Sequence, residues 1–222
     1  MISDQLKKIY ECKLKSISRV YNGIDITYRP DKNDPSIIAQ INKFRDLNYK
    51  IIGSYAYLTR IKGLEQLIKV LEKRKDLAVV IIGEGEAKNE LIELSRTLNV
   101  IDRTLFLDYL PTPYNYLSLF DVYAMCSRSE GFGLAAVEAT LMQTPVVCSN
   151  ISIFKEIFDD TKVSFFELDN ISSLLESINI AISTIGKLKA KVALNYSLNN
   201  FSGYKMASNY LDIYSNLLNG KI

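Results

Sequence analysis

From Lys50 onward the sequence alternates short apolar runs with longer amphipathic ones, and few chain topologies accept that rhythm. The apolar runs Lys50–Ala56, Leu77–Gly83, Thr104–Leu107, Asp121–Cys126, Pro145–Cys148 and Val163–Phe166 read as strands. Between them Lys62–Arg74, Ala87–Leu98, Thr112–Leu119, Leu134–Met142 and Ile153–Phe158 read as helices, and Ile171–Ile185 follows the last strand. Strands that are apolar almost throughout are buried on both faces, and strands joined through helices run parallel. The expectation is an α/β fold, a doubly wound parallel sheet covered by helices on both sides. Such a sheet binds ligands at the carboxyl ends of its strands, in the crevice where strand order reverses.

Outside that rhythm, residues 3–16 read as a short basic amphipathic helix, Arg19–Gly23 as a short strand, and residues 24–35, with their prolines, Asp and Asn, as a linker. The tail from Lys187 to Leu218 reads as mostly helical and carries Tyr196, Phe201, Tyr204, Tyr210 and Tyr214. The division expected is a leading segment 1–35, a ligand-binding domain 36–186 and a helical tail 187–222.

Composition then narrows the chemistry. Lys plus Arg exceed Asp plus Glu by a formal charge of +2, so nothing points to nucleic acid. The longest apolar run, Leu77–Ile82, is far too short for a membrane span, and no signal peptide opens the sequence, so a cytoplasmic protein is expected. Cys12, Cys126 and Cys148 have no metal-like spacing and read as reduced thiols, the latter two at strand ends. Histidine is absent altogether, which removes Ser-His-Asp and Cys-His catalysis, the usual zinc sites and His general bases. Chemistry must come from carboxylates, Lys, Arg, Tyr, backbone dipoles or the ligand.

The strongest candidate site is Glu130-Gly131-Phe132-Gly133-Leu134-Ala135-Ala136-Val137-Glu138, two carboxylates with seven residues between them, placed between a strand and a helix. Gly131 and Gly133 allow the backbone to approach a ligand closely. The unpaired N–H groups opening the helix suit a phosphate, and carboxylates suit vicinal sugar hydroxyls. Without that context, two glutamates at this spacing are an ordinary solvated helix face. Arg60 and Lys62, just after the first strand, would face the same strand ends and neutralise a diphosphate, or else are ordinary basic residues of a solvated loop. Gly83-Glu84-Gly85 is a weak dinucleotide signal, because Lys88 stands where a third glycine belongs; a tight turn with close backbone packing is the better reading. Tyr109, in Phe106–Pro111, offers an aromatic for a nucleobase, against the plainer reading of a buried core strand.

Ser127-Arg128-Ser129-Glu130-Gly131-Phe132-Gly133-Leu134-Ala135-Ala136-Val137-Glu138-Ala139 followed by Thr144-Pro145-Val146-Val147 resembles the signature of retaining glycosyltransferases of family 4, the glycosyl transferases group 1. Asn22–Asp25, Lys62-Gly63, Gly83–Gly85 and Phe166–Asp169 follow in the matching order. The resemblance implies the C-terminal, Rossmann-like, donor-binding half of a two-domain GT-B type enzyme. It implies a nucleotide-sugar donor, UDP- or GDP-linked, no metal, and transfer with retention by front-face departure of the nucleotide. On this resemblance Glu130 contacts the donor sugar as the catalytic carboxylate and Glu138 the ribose. Backbone amides of Phe132, Gly133 and Leu134 meet the phosphates or sugar, and Lys62 the diphosphate. Bacterial surface polysaccharide or glycolipid assembly is the expected setting, with peripheral membrane association through the acceptor.

The sequence departs from the family pattern at Ala56-Tyr57, where Gly-Arg is usual, with Arg60 three residues on as the substitute cation, and at Gln143 and Ser152-Ile153, where glycines are usual. An N-terminal acceptor-binding domain is expected to come from elsewhere, as a separate domain or subunit. The competing expectation is a catalytically silent nucleotide-sugar-binding or interaction subunit acting through such a partner.

Overall fold

The computed structural model describes residues 17–25 and 33–219. The expected helix over residues 3–16, Cys12 and most of the expected linker therefore lie outside the described residues. Six strands, β1 (Lys50–Tyr55), β2 (Leu77–Ile82), β3 (Thr104–Leu107), β4 (Val122–Met125), β5 (Val146–Ser149) and β6 (Ser164–Phe166), form one sheet in the order β3-β2-β1-β4-β5-β6. Every pairing is parallel. Each strand departs from its expected bounds by no more than a residue at either end. This is the Rossmann-like, doubly wound sheet, with its strand order reversing between β1 and β4.

Parallel pairing demands crossovers between strands, which run through the 3-10 helix Pro113–Leu119 from β3 to β4 and elsewhere through α-helices. Among the described residues these are α1 (Pro35–Asp46), α2 (Glu65–Lys73), α3 (Lys88–Thr97), α4 (Leu134–Leu141), α5 (Ser152–Ile157), α6 (Ile171–Ile182), α7 (Thr184–Asn200) and α8 (Gly203–Leu218). On one face Ile52, Val79, Ile81, Val122, Ala124, Val147 and Phe166 pack with Leu67, Leu71, Leu174 and Ile178 from α2 and α6. The alternate strand positions point to the other face, where α1 lies along β1 and α4 lies along β4 and β5. Ile51, Val80 and Tyr123 on that second face are also fully buried. Burial on both faces is why the strands read as continuous apolar runs.

Four expectations differ from what forms. Thr112–Leu119 is a 3-10 helix over Pro113–Leu119, and the expected start of the helix at Lys62 is a separate 3-10 turn, Arg60–Lys62, ended by Gly63 at φ 62°. No strand forms at Arg19–Gly23 among the described residues; the nearby Ile24 makes only an isolated bridge to Ser202. The helix at Ile171 stops at Ile182, and Ser183 in extended conformation separates it from α7. Helix α1 was not expected, although Asp34 caps it by accepting from the Ser36 N–H at 2.8 Å, with Pro35 in its first turn.

The chain divides into two compact units, one containing the described residues 17–25 and 198–219, the other residues 33–197 with the whole sheet. Cys126 and Cys148 are buried and free. Among the described residues no helix is long and apolar enough to cross a membrane.

Candidate functional site

The loops leaving β1 and β4, on either side of the reversal in strand order, are pressed together. Gly63 sits in the left-handed region, and a Cβ there would lie 2.2 Å from the Cys126 carbonyl and 2.6 Å from Gln66 Nε2. This close approach delivers Lys62 to Glu130, with Nζ 2.7 Å from Oε1. Ser127 Oγ donates to the same oxygen at 2.7 Å, so among the described residues Oε2 has no partner. The Glu130 side chain is 11% exposed and that of Lys62 23% exposed, so each lowers the cost of burying the other's charge.

Helix α4 opens directly behind this pair. Gly133 precedes it at φ 88°, and a Cβ there would stand 2.4 Å from Phe154 Cε1 on α5, so two constraints require glycine. No side chain caps this end and no acidic residue lies in the first turn, which leaves the leading N–H groups and the positive end of the helix dipole facing the Lys62–Glu130 pair's loop. Leu134 is exposed at the helix start, Phe132 is half-buried, and Gly131 is exposed with nothing within 4 Å of where a Cβ would stand.

Glu138 lies one turn into α4, on the side facing the sheet. Its Oε2 accepts from the Tyr55 hydroxyl at 2.6 Å. Burial pushes the Glu138 carboxyl above the ordinary glutamate range, and the Tyr55 hydrogen bond works in the opposite direction. Tyr55 itself is held well above the ordinary phenol range, chiefly by burial and then by Tyr123 and the Glu138 charge, so it is a neutral donor.

Arg60 is not brought to the glutamates. Its guanidinium pairs with Glu90 on α3 at 2.7 and 3.1 Å in an exposed arrangement. Gly83 and Gly85, at φ 140° and 150°, sit where a Cβ would meet the Ala56 and Leu58 backbone at 2.0 and 2.4 Å. That segment is the tight turn expected of it, buttressing the β1 loop. Tyr109 lies beyond β3 and is exposed rather than in the core. With Tyr55, Tyr57, Gly83, Glu84 and Pro111 it lines a cleft of about 430 Å³ at the ends of β1, β2 and β3.

Several supporting residues were not singled out in the sequence. Gln66, 1% exposed, donates to the carbonyls of Gly63 and Cys126 and accepts from the Asp169 N–H, tying together the loops after β1, β4 and β6. Arg128 repeats the tie through the Arg60 carbonyl, Glu65 and Asp169. For Tyr55 the two-residue period of β1 held the signal, since Ile51, Gly53 and Tyr55 share the face that α4 covers. A lone Gln inside a helical run carries none. Among the described residues no group of three or more His, Cys, Asp or Glu side chains is placed to hold a metal ion.

The family model for glycosyl transferases group 1 matches residues 37–193, the whole of this sheet and its site. The chain belongs to that family. It is 35% identical over 202 residues to the O-antigen biosynthesis glycosyltransferase WclY of Escherichia coli, an alignment that takes in 89% of this chain and 55% of that protein. The chain thus spans about half the length of such relatives. Among solved structures it is similar to a glycosyltransferase from Rickettsia africae ESF-5, with a TM-score of 0.82 and 22% identity over 98% of this chain and 61% of that one. It also resembles Anabaena HepE crystallised with UDP-glucose, with a TM-score of 0.76 and 24% identity over 90% of this chain and 57% of that one. These solved glycosyltransferases, of GT-B architecture, share the fold of this chain.

Proposed function

We propose that this chain is the donor-binding part of a retaining, metal-independent glycosyltransferase that takes a UDP- or GDP-linked sugar. The observation that carries the reading is the Lys62–Glu130 pair, 2.7 Å apart at the strand-order reversal and beside the uncapped N-terminus of α4. A cation and a helix N-terminus in one place can neutralise a diphosphate leaving group, the charge that grows as the glycosidic bond to the nucleotide breaks. Lys62 would turn from Glu130 to the phosphates, and Glu130, with Oε2 already open, would accept hydroxyls of the donor sugar. Glu138 would take the ribose hydroxyls, and the cleft lined by Tyr57 and Tyr109 would receive the base. UDP-glucose in a protein of this fold, Anabaena HepE, and the O-antigen assignment of WclY support a sugar-nucleotide donor and a polysaccharide setting.

Transfer itself draws on acceptor contacts supplied by another domain or subunit, acting at the cytoplasmic membrane surface where a lipid-linked acceptor would lie. Calorimetric titration of this chain with UDP-, GDP- and ADP-sugars tests the donor site. Binding of one of them, weakened at least tenfold in Glu138→Ala, is expected from the loss of a charged hydrogen-bond acceptor. Absence of binding with every nucleotide overturns the reading.

A further inference from the structure

Tyr55 is not among the residues that carry the resemblance set out above, yet its hydroxyl is the one hydrogen-bond donor to Glu138 among the described residues. We propose that Tyr55 is a positioning residue, holding the Glu138 carboxylate in the orientation that reads the ribose hydroxyls of the donor nucleotide. The proposal rests on the donor-site reading above.

The ring is fixed from several sides. Tyr55 is the last residue of β1 and 8% exposed; its ring lies 4.9 Å from that of Tyr123 on β4, at 48°. Tyr123 is fully buried and donates its hydroxyl to the Tyr55 carbonyl at 3.3 Å, which pins the backbone that carries the ring. The strand period then aims the phenol at α4, where Glu138 meets it at 2.6 Å. Glutamate has three rotatable side-chain bonds, and a carboxylate on an otherwise apolar stretch of helix would swing between solvent and the sheet. Holding Oε2 from a rigid strand leaves Oε1 without a partner among the described residues, with lone pairs to spare for neighbouring hydroxyls. A donor that is buried and uncharged orients the carboxylate without cancelling its charge, as Lys or Arg would.

The test compares the tightest-binding of UDP, GDP and ADP with its 2′-deoxy counterpart, by calorimetry on the full chain. The wild type should prefer the ribonucleotide by about tenfold, the effect of one charge-assisted hydrogen bond. Tyr55→Phe should cut that preference to about threefold or less, while the variant still unfolds cooperatively. Glu138→Gln should abolish it, and adding Tyr55→Phe to Glu138→Gln should change nothing further. Tyr123→Phe removes only the bond to the Tyr55 carbonyl and should lower the preference less than Tyr55→Phe does; a drop as large as that of Tyr55→Phe would assign the effect to packing and overturn the proposal. If Glu138→Gln removes the preference but Tyr55→Phe retains it, or weakens both nucleotides equally, the role of Tyr55 fails and the donor site stands. If Glu138→Gln retains the preference, the ribose reading of Glu138 fails and the proposal with it.

Discussion

Glu130 and Glu138 are held in opposite ways, and their substitutions should differ accordingly. Glu130 shares its charge with Lys62, and both side chains are largely covered. Lys62→Met leaves a carboxylate with little water access, whereas Glu130→Gln leaves an ammonium on a flexible stem that can reach solvent. Lys62→Met is therefore expected to lose more stability in urea unfolding, about 1–3 kcal/mol, as well as most nucleotide affinity. At Glu138 the carboxyl is raised by burial above 4.5, so the folded chain holds that proton more tightly than the unfolded chain. Its stabilising contribution is full below the unfolded value and fades as pH rises through the raised one. On the proposed reading nucleotide affinity runs the other way, because Glu138 would accept from the ribose hydroxyls best as the charged carboxylate. Titrations from neutral pH downward should show affinity falling before pH 4.5 is reached, and Glu138→Gln should flatten that limb. Gly133→Ala meets both a positive φ and the Phe154 ring, and should cost about 1–3 kcal/mol in the same unfolding assay.

The elements that carry the site are joined less by the sheet than by two side chains behind it. Gln66 connects the loops after β1, β4 and β6, and Arg128 connects the first and last of these again. Gln66→Leu keeps the helix and most of the volume but leaves the buried ends of three loops without their partner. The expected loss is about 1–3 kcal/mol of unfolding free energy, with nucleotide affinity reduced because the Lys62–Glu130 spacing is no longer fixed. Polar residues of this kind are invisible to periodicity: a Gln inside a helical run reads as surface until the loops it ties are known. The same limit explains the 3-10 turns at Arg60–Lys62 and Pro113–Leu119, since one apolar spacing fits either a short α-helix or a tighter turn. Helix α1 was legible, with Asp34 and Pro35 at its start and Ile37, Ile41 and Phe44 on one side, but its polar neighbours resembled a linker.

On the proposed reading, the donor is held by the dipole of α4, one lysine and two carboxylates on a chain of small net charge. Its formal charge of +2 predicts nucleotide binding that depends on salt only through the few contacts to the diphosphate. Removal of divalent ions with EDTA is expected to leave the affinity for nucleotide sugars as it is in buffer containing Mg2+; a loss would mean that a cation, and not Lys62 with the α4 terminus, neutralises the phosphates. Buried Arg103, donating to the carbonyls of Leu71, Arg74 and Leu77, shows the same habit of satisfying backbone groups from charged side chains inside the sheet's edge.

Strand–helix alternation, the glycine turn and the spacing of Glu130 and Glu138 were written in the order of residues, because apolar periodicity and glycine chemistry are local properties. The partners were not. That Lys62 meets Glu130 while Arg60 turns away to Glu90 depends on which side of a 3-10 turn each faces, and two residues' difference in a turn decides it. That Tyr55 meets Glu138, 83 positions along the chain, follows from β1 lying beside β4, the strand that α4 covers. Hydrogen bonds act over about 3 Å whatever the separation in sequence, so only the folded arrangement selects them.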